Sequence, residues 1–169
     1  MVNIRRMTLT ALMAALIFVL TTVPRLPVPA TGGYIHLGDA GVTFAACAFG
    51  PWVAMAAGGL GTALADLMGF PQWAIFSLVV HGLQGWALGL VFRKGLSWFT
   101  AVVATVISIA IVVTGYFLAG ALLESTAVAV LEIIPNTIQA LSASLIGIPL
   151  YWAVRRAYPA LESYSERAT

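Results

Sequence analysis

Polar side chains recur at helical spacing in two strongly apolar segments of the chain. One set is spaced by four, four and three residues and the other by four, three and four, so each set lies on one face of a helix. The sets are Trp73, Ser77, His81 and Gln84, and Glu132, Asn136, Gln139 and Ala143, of which the second is polar only toward its outer end. Polar groups inside an apolar segment are costly and usually face the interior of a helix bundle or a cavity.

The chemistry of these groups suits recognition of a small molecule. Amide and imidazole groups orient a ligand, and aromatic rings supply apolar walls. If the helix begins near Gln72, a rise of ~1.5 Å per residue places His81 ~14 Å from that end, close to the middle of a bilayer. We therefore predict one substrate site formed by Trp73, His81, Gln84, Tyr116, Asn136 and Gln139. The competing interpretation is that these groups bond only to one another and hold the helices together.

The composition is that of an integral membrane protein. The 169 residues are 61% hydrophobic and 8% charged, with a mean hydropathy of +0.99, whereas a soluble domain is about 25% charged. The single cysteine excludes an intramolecular disulfide. The sequence has no phosphate-binding loop of the ATPase type, so we expect no ATP use by the chain alone.

The apolar segments predict an all-α bundle of six membrane-spanning helices in one domain over 1–169. Pro51 divides the second segment from the third, since helices commonly stop before proline. With both termini in the cytoplasm, seven of the eight Lys and Arg residues lie inside and only Arg25 lies outside, as cytoplasmic loops prefer. The start of the chain has the outline of a secretory signal, but its length and its prolines favour a retained helix. The predicted spans are 7–23, 37–49, 51–68, 72–92, 98–123 and 133–154.

A glycine-rich stretch follows the first predicted helix. Three prolines stiffen the first half of this outer loop, and Gly32 and Gly33 loosen the second half. Asp39 is in position to cap the short second helix. We predict that Tyr34, His36 and Asp39 belong to a loop that covers an outward-facing cavity.

Small residues lie four apart in several predicted helices. Ala57, Gly61 and Ala65 do so in the third and Gly85 and Gly89 in the fourth, where we expect close helix packing inside the protein. Ala11 and Ala15 have the same spacing in the first helix. Spacing alone does not decide whether these two face another subunit.

The stretches 33–39, 49–51, 58–67, 71–73, 81–85 and 135–139 together resemble the substrate-binding S components of energy-coupling factor (ECF) transporters. The resemblance implies a subunit that binds a vitamin or related micronutrient from outside with high affinity in a prokaryotic cell membrane. It also implies a transmembrane T component and two cytoplasmic ATPases as partners. Ala11 and Ala15 match the family's Ala-x-x-x-Ala motif, which docks on the T component. In the family the first outer loop gates the pocket, which implies that role for Tyr34 to Asp39.

The resemblance narrows the ligand class without naming the ligand. Nickel and cobalt members begin with a metal-binding Met-x-His, whereas this chain begins Met1-Val2-Asn3. We therefore expect an organic substrate, with no metal and no cofactor. Four outer carboxylates against Arg25 favour a neutral or cationic compound. Riboflavin, a thiamin precursor such as hydroxymethylpyrimidine, pyridoxine-type compounds and cobalamin remain open.

Two other classes of protein compete with this interpretation. An intramembrane enzyme needs an activated nucleophile or a metal site, and the sequence has neither His-Glu-x-x-His nor Gly-x-Ser-x-Gly. A structural membrane protein of an envelope complex has no need of a glycine-rich loop or an amide-lined cavity. Nothing in the sequence indicates a nucleic-acid partner.

Overall fold

The computed structural model describes residues 4–165, which form α-helices and one β-hairpin. The hairpin consists of β1 (Arg25–Val28) and β2 (Gly33–His36). Short 3-10 turns cover Pro71–Trp73 and Pro159–Tyr164. The helices are α1 (Ile4–Thr22), α2 (Gly38–Phe49), α3 (Pro51–Gly69), α4 (Ala74–Phe92), α5 (Trp98–Leu123), α6 (Thr126–Leu131) and α7 (Ile133–Ala157).

Five segments of the described chain are long and apolar enough to cross a membrane, which confirms the prediction of a helical membrane protein. They are Ile4–Thr22, Pro51–Gly69, Pro71–Phe92, Trp98–Leu123 and Thr126–Ala157. Helix α2 has only 12 residues, or ~18 Å of helix against a hydrocarbon core of ~30 Å. All of its residues are buried, so the neighbouring helices shield it from lipid. The prediction of six spans depends on counting α2 and stays a prediction.

Two breaks in the sequence set the lengths of the central helices. Gly50 has φ +92°, a conformation that favours glycine, and Pro51 follows it as the first residue of α3. The apolar run from 37 to 68 is therefore two helices. Helix α5 begins at a capping box, in which the Thr100 N–H donates to Ser97 Oγ (3.2 Å) and the Ser97 N–H donates to Thr100 Oγ1 (2.8 Å).

Small residues allow the helices at the centre of the bundle to approach closely. A Cβ on Gly85 would clash with the Ala54 carbonyl oxygen, and a Cβ on Gly61 would lie 2.7 Å from the Ala14 carbonyl oxygen. The predicted internal packing of α3 and α4 is thus confirmed. Ala11 and Ala15 differ, because both are exposed on α1.

The segment predicted as an irregular loop is a two-stranded antiparallel hairpin. Its register pairs Arg25 with His36 and Val28 with Gly33, and Gly32 (φ +70°) makes the turn. The sequence interpretation missed these strands because it took the prolines only as residues that stiffen a loop. A short two-stranded ribbon tolerates a proline such as Pro27, since the strand lies at an edge. Helix α6, between α5 and α7, was also not predicted.

The two ends of the bundle differ in what they contain. One end, here called the hairpin end, holds β1, β2, the turn before α4 and the junction between α5 and α6. At the opposite end the Arg5 guanidinium lies 3.9 Å from the centre of the Tyr164 ring and donates to Ser163 Oγ at 3.2 Å. Both ends of the described chain therefore meet on the side away from the hairpin.

Candidate functional site

An open cavity of about 170 Å³ lies at the hairpin end. Helices α3, α5, α6 and α7 and the turn before α4 form its walls, and the hairpin forms its cover. Four predicted binding residues (Trp73, Tyr116, Asn136, Gln139) and two predicted loop residues (Tyr34, His36) line it. The helical spacing had placed each set on one face, and the fold turns these faces toward one another.

Four aromatic side chains form part of the walls. The Trp73 and Tyr116 rings lie 5.9 Å apart between centroids, and the Tyr34 and Phe70 rings lie 5.3 Å apart. Asn136 and Gln139 are buried at 8% and 3% exposure and contribute amide groups to the wall. Such a surface suits a flat ring that needs orientation by a few hydrogen bonds.

The polar wall of the cavity is acidic. Asp66 is buried, and its carboxylate accepts from the Tyr34 hydroxyl at 2.8 Å and from the Ser77 hydroxyl. Glu124 and Glu132 also line the cavity, while its lining contains no Lys or Arg. The cavity can therefore accept hydrogen bonds from a cation or from a ligand rich in N–H groups.

The hairpin is held over the cavity by polar contacts from β2. The Tyr34 hydroxyl donates to Asp66, and the His36 N–H donates to Gln139 Oε1 at 3.1 Å. The Arg25 guanidinium lies 4.3 Å from the centre of the Tyr34 ring. Burial raises the pKa of the Tyr34 phenol, with Asp66 adding to the effect, so this hydroxyl remains a donor.

The imidazole of His36 is neutral at physiological pH. Burial lowers its pKa from 6.5 to about 4; His81 and Arg25 also lower it, and Asp39 opposes them. The Gly38 N–H donates to His36 Nδ1 at 3.1 Å. The proton of the neutral ring is therefore on Nε2.

Two predicted binding residues, His81 and Gln84, do not line the cavity. Both are fully buried beneath it. His81 Nδ1 lies 2.9 Å from Asp39 Oδ1 and 2.9 Å from Gln84 Oε1, while Gln84 Nε2 donates to Ser108 Oγ at 2.8 Å. Their position on the same helix face as Trp73 was predicted, but they lie too deep to reach the open space.

The prediction that Asp39 caps α2 is wrong. Leu37 is the N-cap residue and no side chain caps the helix. Asp39 instead turns into the bundle with 0% exposure, where Gln84 Nε2 (3.4 Å) and Gln139 Nε2 (3.3 Å) donate to its Oδ2. A buried carboxylate is costly unless hydrogen-bond donors or an opposite charge surround it, and here the two amides and the His81 ring do so. Asp39 thus belongs to the layer beneath the cavity and not to the cover.

His36, Asp39 and His81 converge although they lie far apart in the sequence. One potential metal-ligating atom from each lies within 4.8 Å of the others. His36 has its Nδ1 lone pair engaged by Gly38 and its proton on Nε2, so it presents no free lone pair to a metal. The arrangement is that of a hydrogen-bonded cluster, and the expectation of an organic ligand stays a prediction.

The predicted site omitted ten of the sixteen residues that line the cavity. Asp66 is the most important omission, since a carboxylate within an apolar helix is itself a signal of function. Ser77 was noted only for its helix face. The other missed lining residues are Thr31, Gly32, Gly33, Phe70, Gln72, Gly120, Glu124, Val128 and Glu132.

The fold and the cavity together define a membrane protein with a covered small-molecule site at one end of a helix bundle. Two solved structures share this fold. One is the S component for biotin from an ECF-type ABC transporter, with a TM-score of 0.64 and 17% identity over 89% of this chain and 94% of that chain. The other is the S component of a bacterial ECF transporter, with a TM-score of 0.65 and 19% identity over 90% of this chain and 96% of that chain.

The sequence comparisons agree with the fold. Residues 1–156 match the family described as ECF-type riboflavin transporter, S component. An uncharacterized protein of Pyrococcus woesei is 37% identical over 85% of this chain and 98% of its own length. The thiamine precursor transporter HmpT of Lactococcus lactis subsp. cremoris (strain MG1363) is 35% identical over 81% of this chain and 80% of its own length. The chain belongs to the ECF-type riboflavin transporter S component family, which is a family of transporter components and not of enzymes.

Proposed function

We propose that this S component binds a compact, nitrogen-rich heteroaromatic micronutrient of the thiamine precursor class. The observation that carries the proposal is Asp66, a buried carboxylate in an aromatic cavity whose lining has no Lys or Arg. An aminopyrimidine presents N–H donors to such a carboxylate and a flat ring to Trp73 and Tyr116. The relative HmpT, a thiamine precursor transporter, supports this choice.

The size of the cavity argues against the largest ligands left open by the sequence. Its volume of about 170 Å³ is below the ~300 Å³ at which pockets for drug-sized molecules begin. A single small ring fits that space better than the tricyclic riboflavin or the much larger cobalamin. The family's riboflavin description nevertheless makes riboflavin the proper comparison ligand.

We further propose six passes through a prokaryotic cell membrane, with both termini in the cytoplasm and the hairpin outside. In this arrangement the ligand enters beneath the hairpin, and Ala11 and Ala15 contact the T component. Two ATPases bound to the T component supply the energy of transport. The exposure of both alanines on α1 supports a free docking face.

The first test is mass spectrometry of small molecules released from the purified protein. A stoichiometric pyrimidine supports the proposal, and stoichiometric riboflavin contradicts it. Calorimetry then compares hydroxymethylpyrimidine with riboflavin on the same preparation. The pyrimidine is expected to bind more tightly.

The residue-level test is Asp66→Asn. The variant keeps the size of the side chain but removes its charge. A hydrogen bond to a charged group contributes about 1.5–3 kcal/mol, so affinity for hydroxymethylpyrimidine should fall roughly 10- to 100-fold. The matched control is Glu162→Gln. Glu162 forms an exposed ion pair with Arg155 at the end of the bundle away from the cavity, so this variant should bind the ligand normally. Unchanged affinity in Asp66→Asn would remove Asp66 from the site.

A further inference from the structure

A continuous row of hydrogen bonds connects the cavity wall to the buried layer beneath it. Asp66 accepts from the Ser77 hydroxyl, Ser77 Oγ lies 2.6 Å from the Tyr116 hydroxyl, and that hydroxyl lies 2.9 Å from His81 Nε2. On the other side of the ring, His81 Nδ1 is hydrogen-bonded to Gln84 Oε1 and lies 2.9 Å from Asp39 Oδ1, with which it can form an ion pair. Three helices contribute to this row before it reaches Asp39 on α2.

The number of hydrogens available fixes the direction of every bond in the row. Ser77 has one hydroxyl hydrogen and donates it to Asp66, so it accepts from Tyr116. Tyr116 then has no hydrogen left for His81, so it accepts from Nε2–H. Both neighbours of Nδ1, Asp39 Oδ1 and Gln84 Oε1, are acceptors, so Nδ1 also bears a hydrogen. The geometry therefore assigns a doubly protonated, cationic ring to His81 when Asp66 is ionised.

The same atoms allow one other arrangement. The proton on His81 Nε2 passes to Tyr116, the Tyr116 proton passes to Ser77 and the Ser77 proton passes to Asp66 Oδ2. His81 is then neutral and Asp66 is a carboxylic acid. No proton enters from solvent or leaves to it, and each hydrogen bond keeps its two atoms while its donor and acceptor exchange.

We propose that Ser77 and Tyr116 form a proton relay through which His81 sets the charge that Asp66 presents to a ligand. A cationic or N–H-donating ligand stabilises ionised Asp66 and hence the proton on His81. Ser77 does not line the cavity and is fully buried, so it acts as a positioning residue through Asp66 and Tyr116. The part of the proposal that concerns ligands depends on the proposed function, whereas the relay itself does not.

The groups around His81 are compatible with this assignment. Asp39 faces it from α2, Tyr116 from α5, and the His36 ring packs edge-on from β2 with centroids 5.7 Å apart. The Gln139 amide of α7 donates to the same Asp39. Because His36 is neutral near pH 7, Asp39 meets one cation in this cluster and that cation is His81.

The test is nitrogen NMR of the protein labelled isotopically at histidine and held in lipid nanodiscs without ligand. The chain has two histidines, and a His36→Asn sample assigns the signals. At neutral pH we expect the doubly protonated form of His81 to predominate over a smaller, measurable neutral form that corresponds to the other arrangement. In Ser77→Ala the Tyr116 hydrogen becomes free to donate to Nε2, which favours neutral His81. The ratio of doubly to singly protonated His81 should fall roughly tenfold.

Matched variants separate the relay from a general effect of the substitution. Ser77→Thr keeps the hydroxyl and should restore the ratio. Ser142→Ala makes the same change at a hydroxyl that bonds the Gln139 carbonyl of its own helix and should leave the ratio unchanged. If Ser77→Ala fails to fold, Tyr116→Phe removes the acceptor of Nε2–H and should lower the ratio instead. A ratio that neither Ser77→Ala nor Tyr116→Phe alters would overturn the relay.

A second measurement adds hydroxymethylpyrimidine at saturation. In the unaltered protein the ratio should rise, and in Ser77→Ala it should not. A pyrimidine that fails to bind, with the ligand-free result intact, contradicts the proposed substrate and leaves the relay standing. A pyrimidine that binds without changing the ratio overturns the coupling and leaves the substrate standing.

Discussion

At the scale of single residues, His36 determines how the hairpin responds to pH. The pKa of His36 is lowered from 6.5 to about 4 when β2 is docked. Between pH 4 and pH 6.5 the undocked hairpin therefore binds a proton more readily than the docked hairpin does. Docking is therefore at full strength above pH 6.5 and weakens as pH falls toward 4. A shift of this size corresponds to roughly 3 kcal/mol.

We predict faster amide hydrogen exchange in 33–36 at pH 5 than at pH 7, after correction for the intrinsic pH dependence of exchange. His36→Asn keeps an acceptor near the Gly38 N–H but cannot take up the proton, so it should abolish this difference. The titratable or charged groups that act on His36 are Asp39, His81 and Arg25. Equal protection at both pH values in the unaltered protein would show that His36 does not control docking.

Residue types and spacing predicted part of the candidate site. Trp73, Asn136 and Gln139 reach the cavity wall because each lies on a polar helix face that must avoid lipid. The convergence of His36 with His81 was not predicted, since it depends on a contact between β2 and α4, which are distant in sequence. Asp66 was omitted although its place in an apolar helix was a signal. His81 and Trp73 share a helix face but lie at different depths. Periodicity predicts which residues share a face, but it does not predict how deep the cavity extends along that face.

At the scale of elements, α1 exposes a face that carries small residues and that a partner helix can approach. Gly61 packs against Ala14 and Ile17, which turns Ala11 and Ala15 outward. The small residues let a helix of the T component approach closely, and a large side chain would hold the two apart. The helices themselves were predictable from hydropathy, whereas the hairpin and α6 depend on local turns that prolines and short length conceal.

We predict that Ala11→Trp and Ala15→Trp abolish transport and co-purification with the T component while ligand affinity stays within about twofold. Ala110→Trp makes the same change at an exposed position on α5 and should transport normally. Uptake by cells and pull-down with a tagged T component are the measurements. Retained co-purification in both α1 variants would place the interface elsewhere.

At the scale of the whole molecule, the hairpin and the cavity with its acidic wall lie at one end of the bundle. Both ends of the described chain lie at the other. A binding subunit for import must open its site to the outside. In the proposed topology the hairpin end faces out and the loop after α4 faces in, which is also the orientation that places most Lys and Arg in the cytoplasm. One labelling experiment can therefore test both the proposed orientation and the proposed entry of the ligand from outside.

We predict that a cysteine at the hairpin tip, Ala30→Cys, reacts with a membrane-impermeant thiol reagent in intact cells. Lys94→Cys, in the exposed loop after α4, should react only after lysis. Native Cys47 is 1% exposed and supplies little background. Because the tip lies beside the cavity-lining residues Thr31 and Gly32, saturating hydroxymethylpyrimidine should slow the labelling of Ala30→Cys and leave Lys94→Cys unaffected. Labelling of Lys94→Cys in intact cells, with Ala30→Cys protected until lysis, would show that the protein has the opposite orientation in the membrane. It would also exclude uptake from outside through this cavity.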